Sequence, residues 1–164
     1  MKTLRAEGLR IGLVCSTYHR DITERMRQAA VKAFLDAAGR PDDLLQIDAP
    51  GAWELLPLAA TLANRDDIDA VVALGCVIAG ETSHDQWINT GLATGLAHAS
   101  VTSGKAVALG VLTCSTMEQA IARSGGNDGP GDKGHMGNKG HDAMRAAIET
   151  TCTLHDLRRQ EAQA

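Results

Sequence analysis

The sequence predicts an α/β domain of three layers, with helices on both faces of a four-stranded parallel sheet. Two observations carry this. Four short apolar runs, Ile11–Ser16, Leu44–Ala49, Ala70–Ile78 and Ala106–Cys114, read as strands, and near-continuous hydrophobicity is the mark of strands covered on both faces. Helical spacing follows each run, so the strands are joined by right-handed crossovers that leave them parallel. A chain of 164 residues fits one domain with a sizeable core, spanning 1–164, rather than two.

After the first strand, "DITERMRQAAVKAFLDAAG" sets Ile22, Met26, Ala30, Ala33, Phe34 and Ala37 on one helical face. Gly39 stops that helix and Pro41 prevents its resumption. The second strand turns through "PGAWE" into the helix "ELLPLAATLAN", whose Pro57 falls in the first turn, where a missing donor does little harm. A helix over about 86–103, rich in alanine, glycine and threonine, separates the third and fourth strands. The short helix "TMEQAIARSG" then leads into "GNDGPGDKGHMGNKG", a loop near 125–137 whose composition forms no packed element. The last helix runs from roughly Lys139 to Arg158, with Ala143, Ala147, Ile148 and Leu154 near one face.

Hydrophobic residues make up 44% of the chain, yet its aromatics are only Tyr18, Phe34, Trp53 and Trp87, so aliphatic side chains and alanine build the interior. A net charge of −4 with mixed signs offers nucleic acid no basic patch. The apolar runs are too short for a membrane span, and "MKTLRAEGLR" lacks the apolar core of a signal peptide. Cys15, Cys76, Cys114 and Cys152 form no CxxC pair, which suggests neither zinc nor a disulfide framework and points to a reducing cytoplasm.

Ligands of such sheets bind outside the carboxyl ends of the strands. Those ends are "STYHR", "APGAWE", "IAGETSH" and "TC". In the third, Gly80 admits close backbone approach, and Thr82 or Ser83 either caps the next helix or leaves its N–H groups to a phosphate. His84 is a candidate proton carrier or a solvated residue of the first helical turn. Tyr18 and Trp53 either stack on a planar ligand or fill core. Glu54 accepts from ligand hydroxyls or favours its helix N-terminus. Arg123 and Lys139 are cations that could neutralise a phosphate. No GxGxxG, GxxxxGK[ST] or GxSxG is present, which argues against dinucleotide enzymes, P-loop nucleotidases and α/β-hydrolases.

Taken in order, "PGAWE", "ALGCVIAGETSH", "GVLTCSTMEQAIAR" and "GNKG" resemble the 6,7-dimethyl-8-ribityllumazine synthase family over about residues 9–155. The resemblance implies a flavodoxin-like fold and the joining of 5-amino-6-(D-ribitylamino)uracil to 3,4-dihydroxy-2-butanone 4-phosphate, without metal or organic cofactor. It implies that Tyr18 stacks on the pyrimidine, that Ala52, Trp53 and Glu54 hold the ribityl chain and ring, and that Val77 and Ile78 meet the uracil through backbone. By the same resemblance Gly80, Glu81 and Thr82 meet the butanone phosphate, Arg123 supplies charge and His84 carries protons.

The family builds its site between subunits of a pentamer, some members stacking two pentamers and others closing a capsid. Four departures stand out: Ala79 for a frequent arginine, Leu109 for the phenylalanine that packs over the bound ring, His19 for asparagine, and Asp85-Gln86-Trp87 for Phe-Asp-Tyr. The segment between Arg123 and "GNKG" is also longer than the compact family form, which predicts a pentamer or decamer rather than a capsid. A non-catalytic lumazine- or flavin-binding protein on the same scaffold is the alternative, and His84 and Arg123 together argue against it. An unrelated flavodoxin-like interaction module would leave the four motifs unexplained.

Overall fold

The computed structural model describes residues 4–126 and 137–163. Strands β1 (Ile11–Ser16), β2 (Leu44–Ala49), β3 (Ala70–Ile78) and β4 (Ala106–Cys114) form one parallel sheet in the order β2-β1-β3-β4. Their limits coincide with the four apolar runs. Helices α1 (Arg20–Asp36), α2 (Leu55–Ala63), α3 (His84–Ser103), α4 (Met117–Arg123) and α5 (Lys139–Glu161) complete a three-layer, flavodoxin-like αβα arrangement. Helix α3 starts two residues earlier than its composition suggests, and α5 runs three residues further. A short 3-10 turn at Pro41–Asp43 was not legible in the sequence. The glycine-rich loop expected near 125–137 lies, apart from its ends, outside the described residues.

Alternation along the strands divides the interior in two. Leu13, Cys15, Val72, Leu74, Cys76, Leu112 and Cys114 face α1 and α5, where Met26, Phe34, Met144 and Ile148 pack on them. Val14, Val71, Ala73, Val77 and Val111 face the other way, against Leu55, Leu62, Leu92 and Leu96 of α2 and α3. Two close approaches need glycine. A Cβ on Gly140 would lie 2.0 Å from the Met26 carbonyl oxygen, which brings α5 onto the α1 backbone. A Cβ on Gly91 would lie 2.3 Å from the Trp53 ring, which lets that indole lie on α3.

From β1 the chain passes to β2 on one side and then crosses to β3 on the other. The loops that leave β1 and β3 therefore diverge, and in open α/β sheets ligands bind at the carboxyl edge where the strand order reverses in this way.

Candidate active site

The β1 loop is stitched to its neighbour before it turns. Thr17 donates its N–H (2.8 Å) and hydroxyl (3.3 Å) to the Ala49 carbonyl at the end of β2. Buried Ser16 accepts the Tyr18 N–H at 3.2 Å. His19 then adopts the left-handed region (φ 54°, ψ 50°), and its carbonyl receives the N–H groups of Ile22 and Thr23 as α1 begins. This abrupt turn leaves Tyr18 65% exposed, so it is not core. Its ring meets the His19 ring edge to face, with centroids 4.7 Å apart.

The β2 loop carries Ala52, Trp53 and Glu54. Trp53 is half exposed, with its indole against Gly91 of α3. Glu54 makes no cap bond to α2; its carboxylate instead folds over Gly51, where an added Cβ would lie 2.7 Å from Oε2. Glu54 stands at the N-cap of α2, where its charge favours the helix N-terminus without a cap bond, so the structure leaves both readings of it open.

At the end of β3, Val77 is buried and Ile78 half-buried, whereas Ala79, Gly80, Glu81, Thr82, Ser83 and His84 are exposed. The Ala79 N–H donates to the Cys114 carbonyl at 2.8 Å, which ties this loop to β4. Ser83 precedes α3 without a side-chain cap bond (φ −77°, ψ 11°), so the capping alternative for it does not hold. A helix start without a cap keeps N–H donors and partial positive charge available to an anion. His84 is the first helical residue, exposed beside that start.

These three loops bring Tyr18, Ala52–Glu54 and Val77–His84 to the carboxyl ends of three adjacent strands. Two predicted residues stand apart. Leu109 sits mid-strand in β4, paired with Ala73, and is 42% exposed. Arg123 ends α4, exposed, its side chain making no hydrogen bond or ion pair with the described residues. Lys139 opens α5, half-buried. Burial pushes the Cys76 thiol up to about 11, with Cys114 adding to the effect, so Cys76 supplies no thiolate near neutrality. Among the described residues no group of three or more His, Cys, Asp or Glu is arranged to hold a metal ion.

A family model described as 6,7-dimethyl-8-ribityllumazine synthase matches residues 8–155. The chain belongs to the 6,7-dimethyl-8-ribityllumazine synthase family. It is 37% identical over 155 residues to the lumazine synthase of Aquifex aeolicus, with 94% of this chain and 96% of the relative covered. It is 41% identical over 140 residues to that of Rhodopirellula baltica, with 85% of each chain covered. With the Thermus thermophilus enzyme the identity is 36% over 156 residues, covering 95% and 94%. All the residues placed at the carboxyl edge, and Arg123, fall inside the family match.

One residue that shapes this family site escaped the reading of the sequence. Gly91 sits inside a helix, where glycine costs about 1 kcal/mol against alanine. That penalty was the available signal of a packing reason, and the Trp53 ring is the reason.

Proposed function

We propose that the chain makes 6,7-dimethyl-8-ribityllumazine in the cytoplasm, the penultimate step of riboflavin biosynthesis. It joins 5-amino-6-(D-ribitylamino)uracil to 3,4-dihydroxy-2-butanone 4-phosphate and releases phosphate and two waters. The observation that carries this reading is the pairing, across the β1–β3 crevice, of an exposed Tyr18 ring with an exposed, uncapped Gly80–His84 turn.

Tyr18 offers a face to the pyrimidine, and such stacking contributes about 0.5–1.5 kcal/mol beyond buried area. Trp53 and Glu54 hold the ribitylamino side, the carboxylate accepting from hydroxyls. The Val77 and Ile78 backbone meets the uracil edge. Gly80, Glu81 and Thr82 present backbone to the butanone phosphate at the α3 N-terminus, and Arg123 adds a full charge. The amine attacks the ketone, the carbinolamine loses water, phosphate leaves and the ring closes with loss of the second water. His84 relays protons between these steps. Holding two substrates in line contributes about 7–11 kcal/mol, more than the proton relay, so His84→Ala slows turnover about a hundred-fold without abolishing it.

Within one chain, Arg123 and Leu109 belong to the β4 side, away from Tyr18 and Trp53. A heterologous ring closes that gap, with a neighbour's β4 side completing each crevice. Exposed Trp87 (71%), Val101 (82%) and Leu109 supply an apolar contact face for such a ring. We assign a homopentamer, with a decamer as the larger form. Mixing both substrates while following product absorbance and light scattering tests both statements. Product formation at a mass about five or ten times the 17.2 kDa chain is expected. A fully active monomer sinks the shared site, and no product sinks the activity.

A further inference from the structure

We infer that Asn138 is a positioning residue for Arg123, holding the end of α4 so that the guanidinium points at the phosphate; this rests on the assignment of Arg123 above. Helix α4 has seven residues, too short to hold itself in place. Its first turn is fixed by Thr116, whose hydroxyl accepts the Gln119 N–H, and by Gln119, whose Oε1 accepts the Ser115 N–H. Its last turn is fixed from outside. The residue after Arg123, Ser124, is 1% exposed, and its carbonyl accepts from Asn138 Nδ2 at 2.6 Å.

Asn138 is 6% exposed and uses its whole amide. Nδ2 donates to the Ser124 carbonyl and, at 3.4 Å, to the Arg25 carbonyl of α1. Oδ1 accepts the N–H groups of Gly140 (2.9 Å) and His141 (3.3 Å) at the start of α5. An asparagine has two donor hydrogens and a two-lone-pair acceptor, so this side chain joins three helices and leaves nothing unpaired. Arg25 supports the same corner, donating Nη1 to the Gly126 carbonyl at 2.7 Å. The backbone that carries Arg123 is therefore set by a neighbouring buried amide, while the Arg123 side chain bonds to none of the described residues.

A purely structural role would be to cap α5, and the chemistry separates the two. Asn138→Asp and Asn138→Ser each keep an oxygen for the Gly140 and His141 N–H groups, and both residues are good N-caps. Both remove the donor to the Ser124 carbonyl. Displacing a binding group by about an ångström can cost up to a hundred-fold, and we expect roughly ten-fold.

The experiment uses inorganic phosphate as a competitive inhibitor of the assembled enzyme, alongside KM for each substrate. In both variants the phosphate Ki and the KM for the butanone phosphate rise about ten-fold while the KM for the pyrimidine holds; the melting temperature falls as well, because the Ser124 and Arg25 carbonyls lose their donor. In an Arg123→Ala background, Asn138→Ser adds nothing further. An unchanged phosphate Ki in the Asn138 variants, additive effects with Arg123→Ala, or a parallel rise in both KM values overturns the inference. If Arg123→Ala alone leaves the phosphate Ki unchanged, the Arg123 assignment itself fails and takes the inference with it.

Discussion

Replacing Gly140 with alanine tests the close approach of α5 to the α1 backbone. The added methyl would sit 2.0 Å from the Met26 carbonyl oxygen and 2.6 Å from its carbon, both backbone atoms that cannot rotate aside. Relief needs α5 to back away from α1 by about 1 Å, and a gap of that size forfeits about a quarter to a half of each dispersion contact across it. The side chains affected, Met26, Ala30, Met144, Ala147 and Ile148, are all fully buried. Overpacking of a rigid site costs up to about 3 kcal/mol, and loosening the Asn138–Gly140 cap bond about 1 more. Alanine's helix propensity returns about 1 kcal/mol. The net loss is about 3 kcal/mol, or roughly 9 °C in melting temperature for a chain of this length. Differential scanning calorimetry of Gly140→Ala at matched subunit concentration measures it. A melting temperature equal to or above the parent's would show that α5 does not press on the α1 backbone as described.

Three further outcomes follow from the same geometry. A Cβ on Gly80 meets nothing within 4 Å, so Gly80→Ala keeps or slightly raises stability but raises the KM for the butanone phosphate; an unchanged KM would mean that no ligand approaches that backbone. At pH 7.5 iodoacetamide labels partly exposed Cys152 well before buried Cys15, Cys76 or Cys114, read by peptide mass spectrometry, and equal labelling of Cys76 would contradict the raised thiol. The Arg65 guanidinium, at 2.8 Å through both Nε and Nη2, holds the Asp67 carboxyl down at about 2. A depressed folded value stabilises above the ordinary carboxylate range and is lost as pH falls through it. The difference in urea midpoint between the parent and Asp67→Asn should therefore be constant above about pH 5 and shrink between about 4 and 2; persistence at pH 2 would refute the pairing.

The two central strands, β1 and β3, were legible because both their faces are covered. Runs such as Ala70–Ile78 carry no polar interruption, so their limits could be read to the residue. The start of α3 was less so, because Ser83 looks like a cap and makes no cap bond; composition cannot distinguish a residue that caps from one that leaves the donors open. Trp53 had two readings, and its half-exposed indole resting on Gly91 rules out the core one while keeping a face open. The proposed division of the site between the β1–β3 side and a neighbour's β4 side came from the family resemblance alone. Motif order places Arg123 after the fourth strand but says nothing of which crevice it serves. Asn138 was visible only as a letter of "GNKG", since the acceptors of its Nδ2 lie 14 and 113 residues away.

The antiparallel bridge between Ser124 and Asn138 has a use beyond this reaction. It brings the two ends of the intervening stretch side by side, each anchored to a helix by bonds that do not involve residues 127–136. Foreign sequence spliced between those ends would start and finish at neighbouring points, so its length is decoupled from the rest of the domain. In the proposed ring of five, a peptide or a small domain grafted there would be carried in five copies from one gene.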